Sequence, residues 1–235
     1  LGVPSSDFAA FRRWSDVMVQ VGAQGPTPET AGVVGELIGY MLEKIAECRR
    51  APREDVLSTL AHAELDGVRL TDPELGIFCL TLLVAGNETT RNAIAHGMNA
   101  FLEHPDQWAL LVSDPDRHIP GAVEEILRWA SPVMFFRRNA RKDVTLSGQT
   151  IRAGEKISLW YISANRDEDV FTDPYRFDIS RSPNPQIAFG GGGPHFCLGA
   201  NLARMELRII FREMLERIDD LQLAGAPELL RSNFV

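Results

Sequence analysis

The run that begins at Thr71 and ends at Pro105 constrains this chain more than any other. Thr71 and Glu74 form a T-x-x-E capping-box pattern, with Pro73 in the first turn. Pro105, in "EHPDQ", stops what they start. Between them lie "LGIFCLTLLVAG" and the later apolar positions Ile94, Met98, Phe101 and Leu102, which keep a helical pattern. A helix of about 32 residues is roughly 48 Å long at ~1.5 Å per residue, enough to cross a whole domain. Every other element must be arranged around it. The apolar stretch over residues 75–86 is too short to span a bilayer and reads as a buried helix segment.

The segments before it are also helical. Phe8, Phe11, Val17 and Val21 lie on a rough helical stripe, with Trp14 between them. After "GAQGPTP", Val33, Val34, Leu37, Ile38, Met41, Leu42 and Ile45 keep a 3.6 period in a helix over about 29–50. A short helix is expected over about 53–63, and "ELDGVRL" reads as a turn with a short extended piece. Two helices, over about 105–112 and 119–130, follow the long one. From Pro132 the texture changes. "VMFFRR", "DVTLSG" and "QTIRAGEKISLWYIS" are short alternating runs with glycine turns, which predict a small sheet. An irregular, proline-rich stretch leads to "FGGGGPHFCLG". A helix over about 198–217 and a short closing strand near 221–224 complete the chain. Helices, sheet and helix in that order predict a mainly α, α+β domain.

Composition narrows the function classes. Apolar residues are 45% and charged residues 24% of the 235, as in ordinary globular proteins. Lys and Arg number 24 against 32 Asp and Glu, a net charge of -8, so nucleic acid and anionic membranes are poor partners. Cys48, Cys79 and Cys197 are odd in number, far apart and without a CxxC. That argues against a disulfide framework or a zinc ribbon, and it fits a reducing, cytoplasmic setting with no membrane anchor. The chain opens on Leu1 in a mid-protein-like turn and ends without a polar tail, so a fragment of a longer protein is expected.

Three places carry chemistry. The first is "FGGGGPHFCLG", where glycines precede a cysteine and a helix start. Neither a Walker loop nor a G-x-G-x-x-G register fits it. Its N–H groups and the helix start would stabilise Cys197 as a thiolate, either as a nucleophile or as a soft metal ligand. His195, two residues away on an extended chain, is badly placed as a base, so the ligand role survives better. The plain alternative is a flexible turn with a buried cysteine. The second is "AGNETT" within the long helix. Gly86 costs about 1 kcal/mol of helix propensity against Ala. Glu88, Thr89 and Thr90 bring an acid and two hydroxyls into an apolar helix, where a Thr can bond back and loosen the ladder. Emergence of the helix into solvent is the alternative, but the apolar pattern resumes at Ile94. The third is "EEILRW". Glu125 and Arg128 share one helix face and are flanked by Ile126, Leu127 and Trp129. This is either a weak surface pair or a buried pair needing further partners, of which Arg176 in "DPYRFD" is a candidate.

In this combination and order, the three resemble the cytochrome P450 family of haem-thiolate monooxygenases. The resemblance covers essentially the whole chain, residues 1–235, as the C-terminal portion of one such domain from a bacterial member. It implies the C-terminal part of that fold, with a long central helix, a small β-sheet and a cysteine-ligand loop. It implies haem b with Cys197 as axial ligand to the iron, and the glycine-loop N–H groups, at Gly190, Gly193 and Gly199, around it. Thr89 would hydrogen-bond dioxygen and Glu88 would relay protons. Ala85 and Gly86 would leave room for O2 against the helix. His195 and Arg138 match partners of the haem propionates. Glu125, Arg128 and Arg176 would be structural, locking the segment before the cysteine loop. By position, Leu83, Val84, Val133, Met134 and Phe135, with residues 233–235, would wall an apolar substrate pocket. Ferredoxin and its reductase would supply electrons.

One departure marks the subgroup. The family's common pattern places a Phe seven residues before the Cys. Here Phe189 is eight before Cys197, and Gly190 holds the expected place. Members that oxidise steroids and branched lipids look similar, which points to a lipid or terpenoid-like substrate. It leaves open whether Phe189 packs on the thiolate face. The alternatives are a peroxide-using or rearranging relative and, for a fragment alone, a non-catalytic module.

Overall fold

In a computed structural model, residues 1–227 are described, and they divide into two compact units that meet within one helix. The first unit runs from Leu1 to Glu88. It contains α1 (Phe8–Gln24), α2 (Pro28–Arg50), α3 (Val56–His62) and the first half of α4 (Asp72–Glu103). α2 starts where Thr27 accepts from the Thr30 amide, with Pro28 at its first position. α3 starts at Val56 and not at Arg53, because Asp55 caps it by accepting from the Ser58 amide at 2.7 Å. The expected turn at "ELDGVRL" is a bridge between Leu65 and Val68, with Asp66 and Gly67 at positive φ. Trp14, Leu37, Met41, Ile45, Cys48, Leu57, Ala61, Leu75 and Cys79 form one buried core. Cys48 and Cys79 are therefore packing residues, and burial pushes the Cys79 thiol up.

α4 is one uninterrupted helix of 32 residues. Thr71 and Glu74 cap it as the sequence predicts: the Thr71 amide donates to the Glu74 carboxylate at 2.9 Å. Its helical assignment continues through "AGNETT", so Thr89 and Thr90 open no break in it.

The second unit begins at Thr89. It holds the rest of α4, then α5 (Pro105–Ser113) and α6 (Pro115–Ala130). α6 starts four residues before the expected Ile119. Asp114 accepts from the Arg117 amide at 3.2 Å and Pro115 takes the first position, leaving Pro120 inside the helix. Ala93, Ala100 and Phe101 of α4 bury against Leu111, Ile119, Val123, Ile126 and Leu127. Gly97 allows the close approach of α4 and α6, since a Cβ there would lie 2.9 Å from the Ile126 side chain.

The sheet region is two separate hairpin-like pairs. β1 (Phe135–Asn139) pairs antiparallel with β4 (Lys156–Trp160), and β2 (Val144–Leu146) with β3 (Gln149–Ile151). The run "ISLWYIS" is not all strand. It turns at Tyr161 into the short α7 (Tyr161–Ala164), held by the Tyr161 amide donating to the Met134 carbonyl. α8 (Ala200–Arg217) follows the cysteine loop and buries Ala200, Leu207 and Phe211. The expected closing strand near 221–224 does not form. Among the described residues it has no ladder partner, and a strand without one leaves its backbone to water. No helix of the described residues is long and apolar enough to cross a membrane.

Candidate functional site

The approach to the cysteine loop is fixed by a buried ion pair. Glu125 and Arg128, one turn apart on α6, are both 0% exposed. Arg128 donates Nε to Glu125 Oε2 at 2.8 Å and one Nη to Oε1 at 2.7 Å. Its remaining donors reach the carbonyls of Asn165, Pro174 and Arg176, at 2.9, 2.8 and 3.0 Å. Glu125 also accepts from the Asp178 amide, the Asn184 side chain and Arg181 Nε, at 2.9, 3.0 and 3.1 Å. Such a pair meets the condition under which buried charges are tolerated, because each polar atom is satisfied.

This corrects one expectation. The second arginine on Glu125 is Arg181 and not Arg176. Arg176 contributes only its carbonyl, and its side chain is exposed. Arg181 sits 9% exposed and ties down the carbonyls of Thr172, Asp173 and Arg176 as well. The turn through "DPYRFD" directs position 176 outward and the chain returns five residues later.

Asn165, fully buried, carries the order onward to the cysteine loop. Its side chain donates to Ser131 at 2.9 Å and accepts from the Ile187 amide at 2.8 Å, two residues before Phe189. The glycine stretch then turns. Gly190, Gly192 and Gly193 have φ of +94°, +95° and +77°, where a side chain would be strained. The Gly190 amide bonds back to the Ile187 carbonyl, and the Phe196 amide to Gly193. The Cys197 amide donates to the Phe189 carbonyl at 3.0 Å, which closes the loop. A Cβ on Gly199 would touch Cys197 Sγ at 4.0 Å. Cys197 itself is exposed, as are His195, Phe196 and Leu198. So the cysteine is not buried in a turn: a hydrogen-bonded loop presents it just before α8.

The Phe189 ring faces the Arg204 guanidinium, with Cζ 4.5 Å from the centroid, and lies 6.4 Å from the Phe196 ring. Arg204 in turn donates to Glu124 of α6 at 2.6 and 3.0 Å, and Gln186 donates to the same carboxylate at 3.0 Å.

The other expected residues are placed as follows. On α4, Ala85 and Gly86 are exposed, and space around Gly86 is open. Glu88 is 3% exposed, Thr89 is half-buried, and so are Leu83 and Val84. Arg138 is exposed on β1, with its guanidinium 5.9 Å from the Phe136 ring. Val133, Met134 and Phe135 are half-buried, and Phe135 stacks with Trp160 at 4.7 Å. Residues 233–235 lie outside the described residues. Sequence reasoning missed Asn165, Arg181, Glu124 and Arg204. Each acts through a partner 22 or more residues away, and no local pattern announces that.

A haem fits these residues. The loop offers a single exposed thiol, bare glycine backbone and flanking apolar side chains. Among the described residues no group of three or more His, Cys, Asp or Glu could hold a bare metal ion. The Cys197 thiol is a soft donor for a haem iron, and the exposed side chains of His195 and Arg138 offer N–H donors suited to that group's carboxylates.

Comparison with known proteins agrees. The sequence profile described as "Cytochrome P450" matches residues 27–221. The steroid C26-monooxygenase of Mycolicibacterium smegmatis is 45% identical over 240 residues, covering 100% of this chain and 55% of that protein. The methyl-branched lipid omega-hydroxylase of Mycobacterium tuberculosis is 45% identical over 242 residues, covering 100% and 56%. The chain thus spans about half the length of the curated relatives it matches. The Mycobacterium marinum cytochrome P450 CYP268A2 in complex with pseudoionone superposes with a TM-score of 0.92 at 45% identity, covering 100% of this chain and 58% of that one. The Bacillus subtilis bacillaene polyketide synthase cytochrome P450 PksS gives 0.92 at 38%, covering 100% and 61%. With this profile, this superposition and a glycine loop that presents one cysteine, the chain belongs to the cytochrome P450 family, whose members bind haem through a cysteine thiolate.

Proposed function

We propose that Cys197 is the thiolate ligand of a haem iron and that the protein hydroxylates an apolar, lipid- or steroid-like substrate. The observation that carries this is the closed glycine loop that holds the Cys197 amide on the Phe189 carbonyl and leaves the sulfur accessible. Bound haem supplies the activation of dioxygen. In the balanced reaction one oxygen atom enters a C–H bond and the other leaves as water, with two electrons and two protons consumed. A ferredoxin-type donor is the electron source in this reading. Glu88 and Thr89, adjacent on α4, provide a carboxyl and a hydroxyl to deliver the protons. His195 and Arg138 hold the propionates. In the second unit, Val133, Met134 and Phe135 give the substrate apolar surface, extended by Trp160, which stacks on Phe135 and is exposed; Leu83 and Val84 are carried from the family resemblance alone. The relatives' names, a steroid C26-monooxygenase and a methyl-branched lipid omega-hydroxylase, support the substrate class.

One experiment tests both halves. The haem-loaded protein, reduced under CO, should show the strongly red-shifted Soret band of thiolate ligation, and Cys197→Ser should lose it. Supplied with ferredoxin, reductase, a methyl-branched fatty acid and isotopically labelled dioxygen, the protein should place one labelled atom in the product. A histidine-type spectrum would remove Cys197 as ligand. Unlabelled product, or product formed only with peroxide, would overturn oxygen insertion from O2.

A further inference from the structure

Arg204 stands one helical turn into α8, and neither the haem nor the substrate reading assigns it a task. Its surroundings are specific. The guanidinium lies over Phe189, with Cζ 4.5 Å from the ring centroid. Two of its nitrogens grip both oxygens of Glu124, at 2.6 and 3.0 Å. Glu124 is itself fixed by Gln186, whose other amide atom accepts from the Ala188 amide at 2.7 Å. The side chains of Arg204 and Glu124 are about three-quarters shielded, at 26% and 27% exposure. Phe189, under the guanidinium, supplies the carbonyl that receives the Cys197 amide.

We propose that Arg204 is a positioning residue for Cys197: it clamps Phe189 through its ring, and the Phe189 carbonyl in turn holds the Cys197 amide. The clamp joins α6, α8 and the loop into one unit, and the extra residue between Phe189 and Cys197 gives that clamp its purpose. Four consecutive glycines can adopt many conformations, and Phe189 is the last anchored side chain before them. The clamp does not depend on Cys197 being the iron ligand.

Lys keeps the charge of Arg204 and loses its two-pronged, ring-covering geometry, whereas Gln loses both. In the haem-loaded protein, exchange of the Cys197 amide hydrogen should speed up about tenfold or more in both R204K and R204Q, while amides inside α6 keep their rates, since the Phe189 carbonyl is no longer held. Tenfold corresponds to about 1.4 kcal/mol in the closed loop. R217Q, an exposed cation at the far end of the same helix, is the control and should leave the exchange unchanged. Unchanged exchange at Cys197 in R204Q, or a rise spread equally over α6, overturns the clamp. A wild-type protein without the thiolate Soret band overturns the ligand reading alone, and the exchange at Cys197 still decides the clamp.

Discussion

At the scale of single residues, the cluster on Glu125 separates two arginines that look alike in the sequence. Arg128 uses its guanidinium on five acceptors in the interior, so truncating it leaves a charged, buried Glu125. Arg128→Met should cost about 3–5 kcal/mol of stability. Arg181→Met removes one of several donors to the same carboxylate and should cost roughly 1.5–3 kcal/mol. Arg176→Ala deletes an exposed side chain whose carbonyl stays in place, and should change stability by no more than ~0.5 kcal/mol. Urea denaturation followed by circular dichroism ranks the three. If Arg176→Ala proves the costlier of the last two, the assignment of Arg181 is wrong. The same scale explains why Glu125 tolerates burial: its oxygens receive two arginines, a backbone amide and an asparagine.

Whole elements behave according to what their glycines face. Gly35 lies in the interior of α2 with open space around it, so only helix propensity and chain entropy matter there. Gly35→Ala should stabilise the protein by about 0.5–1 kcal/mol. Gly121 lies in α6, where a Cβ would collide with the Ile179 carbonyl oxygen. Backbone cannot step aside as a side chain can, so Gly121→Ala should cost about 1–3 kcal/mol despite alanine's better propensity. Thermal unfolding of the two variants checks both signs. An unharmed Gly121→Ala protein would mean that α6 does not lie against the segment around Ile179 as described. That contact bears on function, because the segment leads from the Glu125 cluster to the cysteine loop.

For the molecule as a whole, acid is the exposed weakness. Asp7, Glu36, Glu74, Asp106, Glu124 and Asp178 are all held below the ordinary carboxylate range. For Glu124, burial alone would raise the group, and hydrogen bonds from Arg204 and Gln186 outweigh it. For Asp178, burial is again overcome, by Ser180 and then by the charges of Arg176 and Arg181. A depressed folded value means fewer bound protons when folded than when unfolded. The contribution is therefore complete above the unfolded values, about 3.9 for Asp and 4.3 for Glu, and disappears as pH falls through the lower folded ones. Urea midpoints measured from pH 7 to pH 3 should fall steeply at the acid end. Glu124→Gln should be the less stable protein at pH 7 and should lose less between pH 5 and pH 3. A parallel acid decline in the two proteins would show that the Arg204–Glu124 bond carries none of the effect.

Much of this protein is determined along the chain itself. The long helix α4 followed from a capping box, a sustained apolar period and a stopping proline, all of them local signals. α2 and the β-rich texture after Pro132 followed in the same way, and the order of "AGNETT", "EEILRW" and "FGGGGPHFCLG" pointed to the family. Local signals were misread at the start of α6, where Asp114 caps a helix that begins four residues before the expected Ile119. They failed also where a segment needed a partner to become a strand, as at 221–224. Only the tertiary structure decided that Arg181 and not Arg176 completes the Glu125 cluster, that Asn165 anchors Ile187, and that Arg204 covers Phe189. The physical reason is the same in each case. Helix and turn propensities act within a few residues, whereas a buried charge, a buried amide or a planar cation finds its partner by folding, across about 15 to 80 residues of chain.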